Sequence, residues 1–194
     1  MYLYLVRHGQ SVGNERKLFF GRSDHPLTEL GRRQAHEAAE KLNAVTFTRC
    51  CASDLARAWD TAQICLAGRD VRAEACPALR EQDMGQLEDM AWEQAEEQFS
   101  GLRELVTDWF HTTPPGGESP DDMAARVAAC VDGIIRAGED TLIVAHNGSL
   151  SLVLKHLGLA GEEELLKPGW FFQHGTFTTI RVDGNGAELV GFNQ

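Results

Sequence analysis

Two stretches of this chain share one unusual form, and together they restrict what it can fold into. Leu3-Tyr4-Leu5-Val6-Arg7-His8-Gly9 is an apolar run that ends on an arginine, a histidine and a glycine. Thr141-Leu142-Ile143-Val144-Ala145-His146-Asn147-Gly148 has the same plan. Unbroken apolar runs of this length read as strands buried on both faces of a sheet. Gly9 gives the chain freedom to turn sharply, and the residues after it suit a helix whose first N–H groups point back at the strand end. In an α/β sheet such ends are where ligands bind. A guanidinium, an imidazole and helix-start N–H groups suit a phosphate. Chance explains one such unit more easily than two.

The rest of the chain alternates strands and helices. Residues 10–17 read as a short helix or turn, and Phe19 to Pro26 as a loop. Thr28 caps a long helix ending near Asn43. Strands are expected over 47–52 and 71–75, with a helix over 54–67 between them capped by Ser53. Ser119 starts a helix to Ala137, buried along Val127, Val131, Ile134 and Ile135. A further helix is expected over 150–157. The end of the chain reads as a hairpin, 177–182 and 187–192, around Asp183-Gly184-Asn185-Gly186. This order implies an α/β fold: a three-layer α/β/α sandwich with a mostly parallel sheet and one antiparallel strand from the hairpin. One domain over 1–194 is expected. The acidic, aromatic and helical stretch 82–118 reads as a cap inserted over the site.

Composition removes several classes of partner. Eighteen Lys and Arg against 29 Asp and Glu give a net charge of −11, with no basic face. That argues against nucleic acid and against anionic membranes. No apolar run reaches the ~20 residues that cross a bilayer, and no basic or apolar leader precedes the first strand, so the expected location is the cytoplasm. The five cysteines, Cys50, Cys51, Cys65, Cys76 and Cys130, have no metal-ligand spacing and read as small packing residues.

The chain resembles the histidine phosphatase superfamily, the phosphoglycerate mutase-like proteins. The residues that carry the likeness are Arg7-His8-Gly9 with Asn14, Asp24-His25-Pro26-Leu27-Thr28 with Gly31 and Gln34-Ala35, and Ser53-Asp54-Leu55-Ala56-Arg57-Ala58 with Thr61-Ala62. Leu79, Glu81 and Gly85 follow, and His146-Asn147-Gly148 completes them. The resemblance implies that His8 is the nucleophile and forms a phosphohistidine. Neutral imidazole is competent for this near neutral pH, provided a backbone carbonyl fixes its tautomer. Arg7 and Arg57 would grip phosphate oxygens, with His146, Asn14, Gly21 and Asn147 completing the pocket. Glu81 would protonate the leaving alcohol and then activate water. Asp83 is the alternative acid, Glu88 reads as shaping a loop, and His174 is a candidate substrate contact.

Arginines and histidines supply the positive charge, so no cofactor and no metal is expected. The expected partners are a small phosphomonoester and its product, inorganic phosphate. The sequence leaves a homodimer open. Departures from the mutases point to hydrolysis. Phe20 stands where they place serine or threonine, and Glu81-Gln82-Asp83-Met84-Gly85 lacks their arginine and tyrosine. Among phosphatases the likeness is to the α-ribazole-5′-phosphate type of cobalamin synthesis, through the chain length, the Trp109 region and Pro115-Gly116-Gly117-Glu118-Ser119. Phosphoglycerate mutation and non-catalytic phospholigand binding are the alternatives. Phe19, Phe20, Trp92 and Trp109 would either line a site for a planar base or form the cap's own core.

Overall fold

The computed structural model describes residues 1–194. Six strands form one sheet: β1 (Tyr2–Arg7), β2 (Arg49–Ala52), β3 (Ala73–Ala75), β4 (Thr141–Ala145), β5 (Thr178–Asp183) and β6 (Gly186–Gly191), in the order β3-β2-β4-β1-β5-β6. β3, β2, β4 and β1 run parallel, while β5 lies antiparallel to β1 and to β6. Arg7 pairs with Ala145 and Ala52 with Val144. His8, Ser53 and His146 therefore follow the C-terminal ends of three adjacent strands. The His8 N–H still reaches the Ala145 carbonyl at 3.0 Å, and the Ser53 N–H reaches that of Val144 at 2.9 Å.

Alternation along the strands divides the core in two. Leu3, Leu5, Cys51 and Ile143 face α6 (Pro120–Ala137) and α7 (Asn147–His156). Tyr4, Val6, Cys50, Leu142 and Val144 face α2 (Glu29–Leu42) and α3 (Ala56–Leu66). Adjacent Cys50 and Cys51 thus enter opposite cores, and all five cysteines are free.

Several boundaries differ from the sequence reading. Ser53 does not cap α3: its backbone is still paired with β4, and Asp24 does the work instead, accepting the Ala56 N–H at 2.7 Å. α7 begins at Asn147, directly after His146, rather than at 150. The strands expected over 47–52 and 71–75 shorten to Arg49–Ala52 and Ala73–Ala75, the latter a sheet edge.

A short helix, α1 (Val12–Glu15), follows β1. Between Gln82 and Glu118 the chain forms two short helices, α4 (Trp92–Gln98) and α5 (Leu102–Thr107), parted at Gly101, whose φ is 88°. Leu87, Ala95, Leu102 and Leu105 make a small core of their own, with Phe19, Trp92 and Phe99 against it. Phe19 is tied to it on both sides, its N–H to Met90 O and its carbonyl to Asp89 N, each at 2.8 Å. A last short helix, α8, spans Glu162–Leu165. No helix is long and apolar enough to cross a membrane.

Candidate active site

His8 is buried at the end of β1. Its Nδ1–H donates to the Gly9 carbonyl at 2.7 Å, which leaves the lone pair on Nε2. The His146 ring lies 5.1 Å away and the His174 ring 5.7 Å, centroid to centroid. Burial holds the imidazole of His8 well below its ordinary pKa, and His146, Arg57, Arg7 and His174 push the same way. His8 is thus neutral, with one free nitrogen, inside a ring of cationic and donor groups.

Those groups are held rigidly. Arg57 is fully buried, with Nη1 on Ser23 O at 2.8 Å, Nη2 on Gly21 O at 2.6 Å and the Phe20 ring 4.9 Å from its Cζ. Burial lowers its pKa to about 10 despite Glu81 and Asp24. Arg7 donates through Nη1 to Phe172 O at 2.9 Å, and burial lowers its pKa too. His146 Nε2 meets Ser53 Oγ at 2.8 Å; burial first, then Arg57 and Arg7, keep this ring neutral as well. Arg7 Nε, Arg57 Nε and His146 Nδ1 are buried with no partner in the protein. Buried polar atoms are nearly always paired, so three orphans on the groups around His8 mark a place for an acceptor-rich ligand.

The fit to known proteins now decides the family. Residues 3–194 match the model of the histidine phosphatase superfamily (branch 1). The chain belongs to this superfamily. It is 34% identical over 168 residues to the probable phosphoglycerate mutase GpmB of Yersinia pestis, covering 84% of this chain and 78% of that one. Among solved structures, the alpha-ribazole phosphatase from Shigella flexneri superposes with a TM-score of 0.88 at 28% identity, over 100% of this chain and 96% of that one. A mycobacterial glucosyl-3-phosphoglycerate phosphatase complexed with VO3 gives a TM-score of 0.81 at 27% identity, over 99% and 98%. This histidine phosphatase superfamily member is therefore a phosphoryl-transfer protein by descent, and its family implies a small phosphorylated substrate.

Opposite the arginines stands Glu81. Its Oε2 accepts the Gly148 N–H at 3.0 Å, at the first turn of α7, and its Oε1 the Gln82 N–H at 3.0 Å. A buried frame carries it: Arg126 donates to the carbonyls of Ala78, Arg80 and Glu81 at 2.7–3.0 Å and clasps Glu118 through Nε and Nη2. Gln82 bridges Glu118 O and the Trp109 indole N–H. Asp83 points elsewhere, its carboxylate accepting the Gly85 N–H at 2.8 Å. Glu88 does shape the loop: it accepts the N–H groups of Gly21, Arg22, Ser23 and Met84.

Several sequence expectations change in detail. Gly9 is not needed for a left-handed turn. A Cβ there would lie 2.1 Å from Gly31 O, so both glycines serve the close approach of two backbones. The helix-start N–H groups are not available to a ligand. Those of Gly9, Gln10, Ser11 and Val12 go to Thr61 Oγ1, Gln34 Oε1, Asn14 Oδ1 and Pro26 O. Asn14 spends its amide oxygen on Ser11, closing a capping box, which leaves the expected donor, its amide NH2, uncommitted. The Gly21 N–H is taken by Glu88, so this residue acts through its carbonyl on Arg57. Asn147 Oδ1 accepts the Phe172 N–H at 3.0 Å. His174 donates from Nδ1 to the His8 carbonyl; burial, then Arg7, lower its pKa to about 4.

Thr61, Gln34 and Asp24 gain roles that the motif alone did not reveal. Arg126 left no local signal at all; a half-buried arginine at a helix position reads like any surface one. Phe19 and Trp92 stack on each other with centroids 5.4 Å apart, as the cap's own core. Phe19 also lines, with Phe20 and Trp109, a cavity of about 580 Å³ that opens beside Glu81 and Gly148.

Proposed function

We propose that this protein hydrolyses small phosphomonoesters through a phosphohistidine at His8. The observation that carries the reading is the free Nε2 of a neutral, buried His8 among the unpaired guanidinium N–H groups of Arg7 and Arg57 and the unpaired Nδ1 of His146. Nε2 attacks phosphorus, the P–O ester bond breaks, and the Glu81 carboxyl delivers its proton to the departing oxygen. The Glu81 carboxylate then takes a proton from water, the water oxygen attacks phosphorus, the P–N bond breaks and inorganic phosphate leaves. The arginines, with imidazole donors, hold the charge that builds on the equatorial oxygens. His174 braces the backbone of His8, and Asn147 braces the Phe172 loop. Segment 82–118 serves as a lid on the one catalytic domain, carrying Phe20's neighbours Met84 and Trp109 to the cavity mouth.

Phosphoglycerate mutation is the second reading, favoured by the likeness to GpmB. A mutase must hold the carboxylate of its substrate, and the cavity beside Glu81 has no lysine, arginine or histidine in its wall. Likeness to the Shigella flexneri enzyme supports α-ribazole-5′-phosphate as one substrate to assay. The deciding experiment supplies p-nitrophenyl phosphate and 3-phosphoglycerate separately. Steady release of inorganic phosphate, lost in His8→Ala, supports hydrolysis. Interconversion of phosphoglycerates without release makes the protein a mutase. Binding without either reaction makes it a phospholigand-binding protein.

A further inference from the structure

The cavity beside Glu81 has a character of its own. Nine of its fifteen lining residues are hydrophobic, and its one charged member is Glu81. Phe20, Leu105, Val106, Trp109, Leu166 and Phe171 form the apolar wall. Val106 and Phe171 are 50% and 44% exposed, two of five large hydrophobics left on the surface, and both sit on this wall. Exposed apolar groups gathered at one concavity mark a binding surface rather than chance.

Five cations around this wall are already engaged, while Lys167, next to Leu166, is exposed to solvent. Arg126 and Arg22 bond Glu118, Arg22 through Nη2 with its Nε left unpaired, and Arg57 and Arg7 bond carbonyls on the phosphate side. Lys155 lies 5.1 Å above the Phe110 ring and pairs with Glu162. A second anionic group on a substrate would meet Glu81, apolar side chains and a net charge of −11. Burying it there without a partner is costly.

We propose that the alcohol portion of the substrate is bulky, uncharged and mostly apolar, a long alkyl or multi-ring aromatic group seated against Val106, Trp109 and Phe171. Carboxylated or doubly phosphorylated metabolites are excluded by the same wall. The catalytic consequence rests on the hydrolysis reading; the binding preference does not. Glu81 and Gly148 stand where the cavity meets the phosphate side, so an ester oxygen held at Glu81 directs its organic group outward along the apolar wall.

Titration calorimetry with non-hydrolysable n-alkylphosphonates, ethyl to hexyl, tests this. Full burial of a methylene is worth roughly fourfold in affinity, so Kd should fall roughly two- to fourfold for each carbon added. Phe171→Ala and Val106→Lys, both at partly exposed positions, should flatten the series. A terminal carboxylate on the hexyl chain should cancel the gain. A Kd independent of chain length, or equal binding of the carboxylated chain, overturns the proposal. Hydrolysis is read apart, on p-nitrophenyl and hexyl phosphate. A falling Kd without phosphate release keeps the cavity assignment and removes the hydrolysis reading; a flat Kd with release does the reverse.

Discussion

Glu88 stands outside the reaction, yet its removal should be felt at His8. Its Oε1 accepts the N–H groups of Gly21, Arg22 and Met84 at 3.0, 2.8 and 3.0 Å, and its Oε2 accepts that of Ser23 at 3.0 Å. Burial pushes this carboxyl up, but the N–H groups of Arg22, Met84 and Ser23 outweigh burial and hold it below its ordinary pKa. The same loop presents Gly21 O and Ser23 O to Arg57. In Glu88→Gln the amide oxygen can keep three acceptances, while the amide nitrogen faces the Ser23 N–H. Hydrogen bonds to a charged group are worth about 1.5–3 kcal/mol and neutral ones about 0.5–1.5, and an orphaned donor costs about 1–3. With water able to reach this half-buried loop, the sum discounts to about 2–4 kcal/mol. Urea unfolding at neutral pH should show that loss at unchanged m-value. Loosening Arg57 should lower kcat/KM on a phosphomonoester by roughly 10- to 100-fold. The folded carboxyl is depressed, so its stabilisation is present above the unfolded pKa of about 4.3 and is lost as pH falls through the folded value. The gap between wild type and variant should therefore close in acid. A loss under about 1 kcal/mol, or a gap independent of pH, refutes the reasoning.

Glu81→Gln should slow the first turnover of an alkyl phosphate by about 10²–10⁴-fold and that of p-nitrophenyl phosphate far less, because p-nitrophenolate leaves without a proton. Rapid-quench rates check this, and equal losses would make Glu81 a positioning group only. The folded pKa of His174 is lowered to about 4, so the unfolded chain takes up its proton first. Its stabilisation is complete above the unfolded pKa of about 6.5 and drains as pH falls toward the folded value, roughly 1–2 kcal/mol by pH 5. The stability curve of His174→Gln should be flatter between pH 7 and 5, and parallel curves would contradict the burial of a neutral ring. Gly9→Ala brings a Cβ to 2.1 Å from Gly31 O, so it should destabilise by about 2–4 kcal/mol, seen as a lowered urea midpoint. A neutral result would mean that the two backbones part freely.

Much of the fold was legible because the strands announce themselves. Leu3–Val6 and Leu142–Ala145 are continuous apolar runs, the first followed by Arg7 and His8 and the second by His146. The parallel order and antiparallel hairpin follow from the alternation of elements and the Asp183–Gly186 turn. The site was legible as residue types, not as geometry. Which carbonyl fixes His8 depends on one local rotamer, and Gly9 itself supplies it. That Gly21 works through its oxygen, or that Asn14 closes a cap, depends on where N–H groups find acceptors across the fold. Ser53 reads as a helix cap because serine before a helix usually is one. Here the backbone pairing with β4 continues through the Ser53 N–H, and the hydroxyl turns to His146. Arg126 and Gln82 were silent because their partners lie up to 48 residues away in sequence.

The phosphorylated protein itself is the most direct witness to the proposed reaction. During the first turnover of p-nitrophenyl phosphate, quenched samples should carry a phosphoryl group that is labile in acid and stable in base. Peptide mapping should place it on His8 Nε2, at near one equivalent in Glu81→Gln if the water step needs the carboxylate. Its absence from His8→Ala completes the assignment. A phosphoryl group on another residue, or full turnover with no labelled intermediate on the quench timescale, contradicts it.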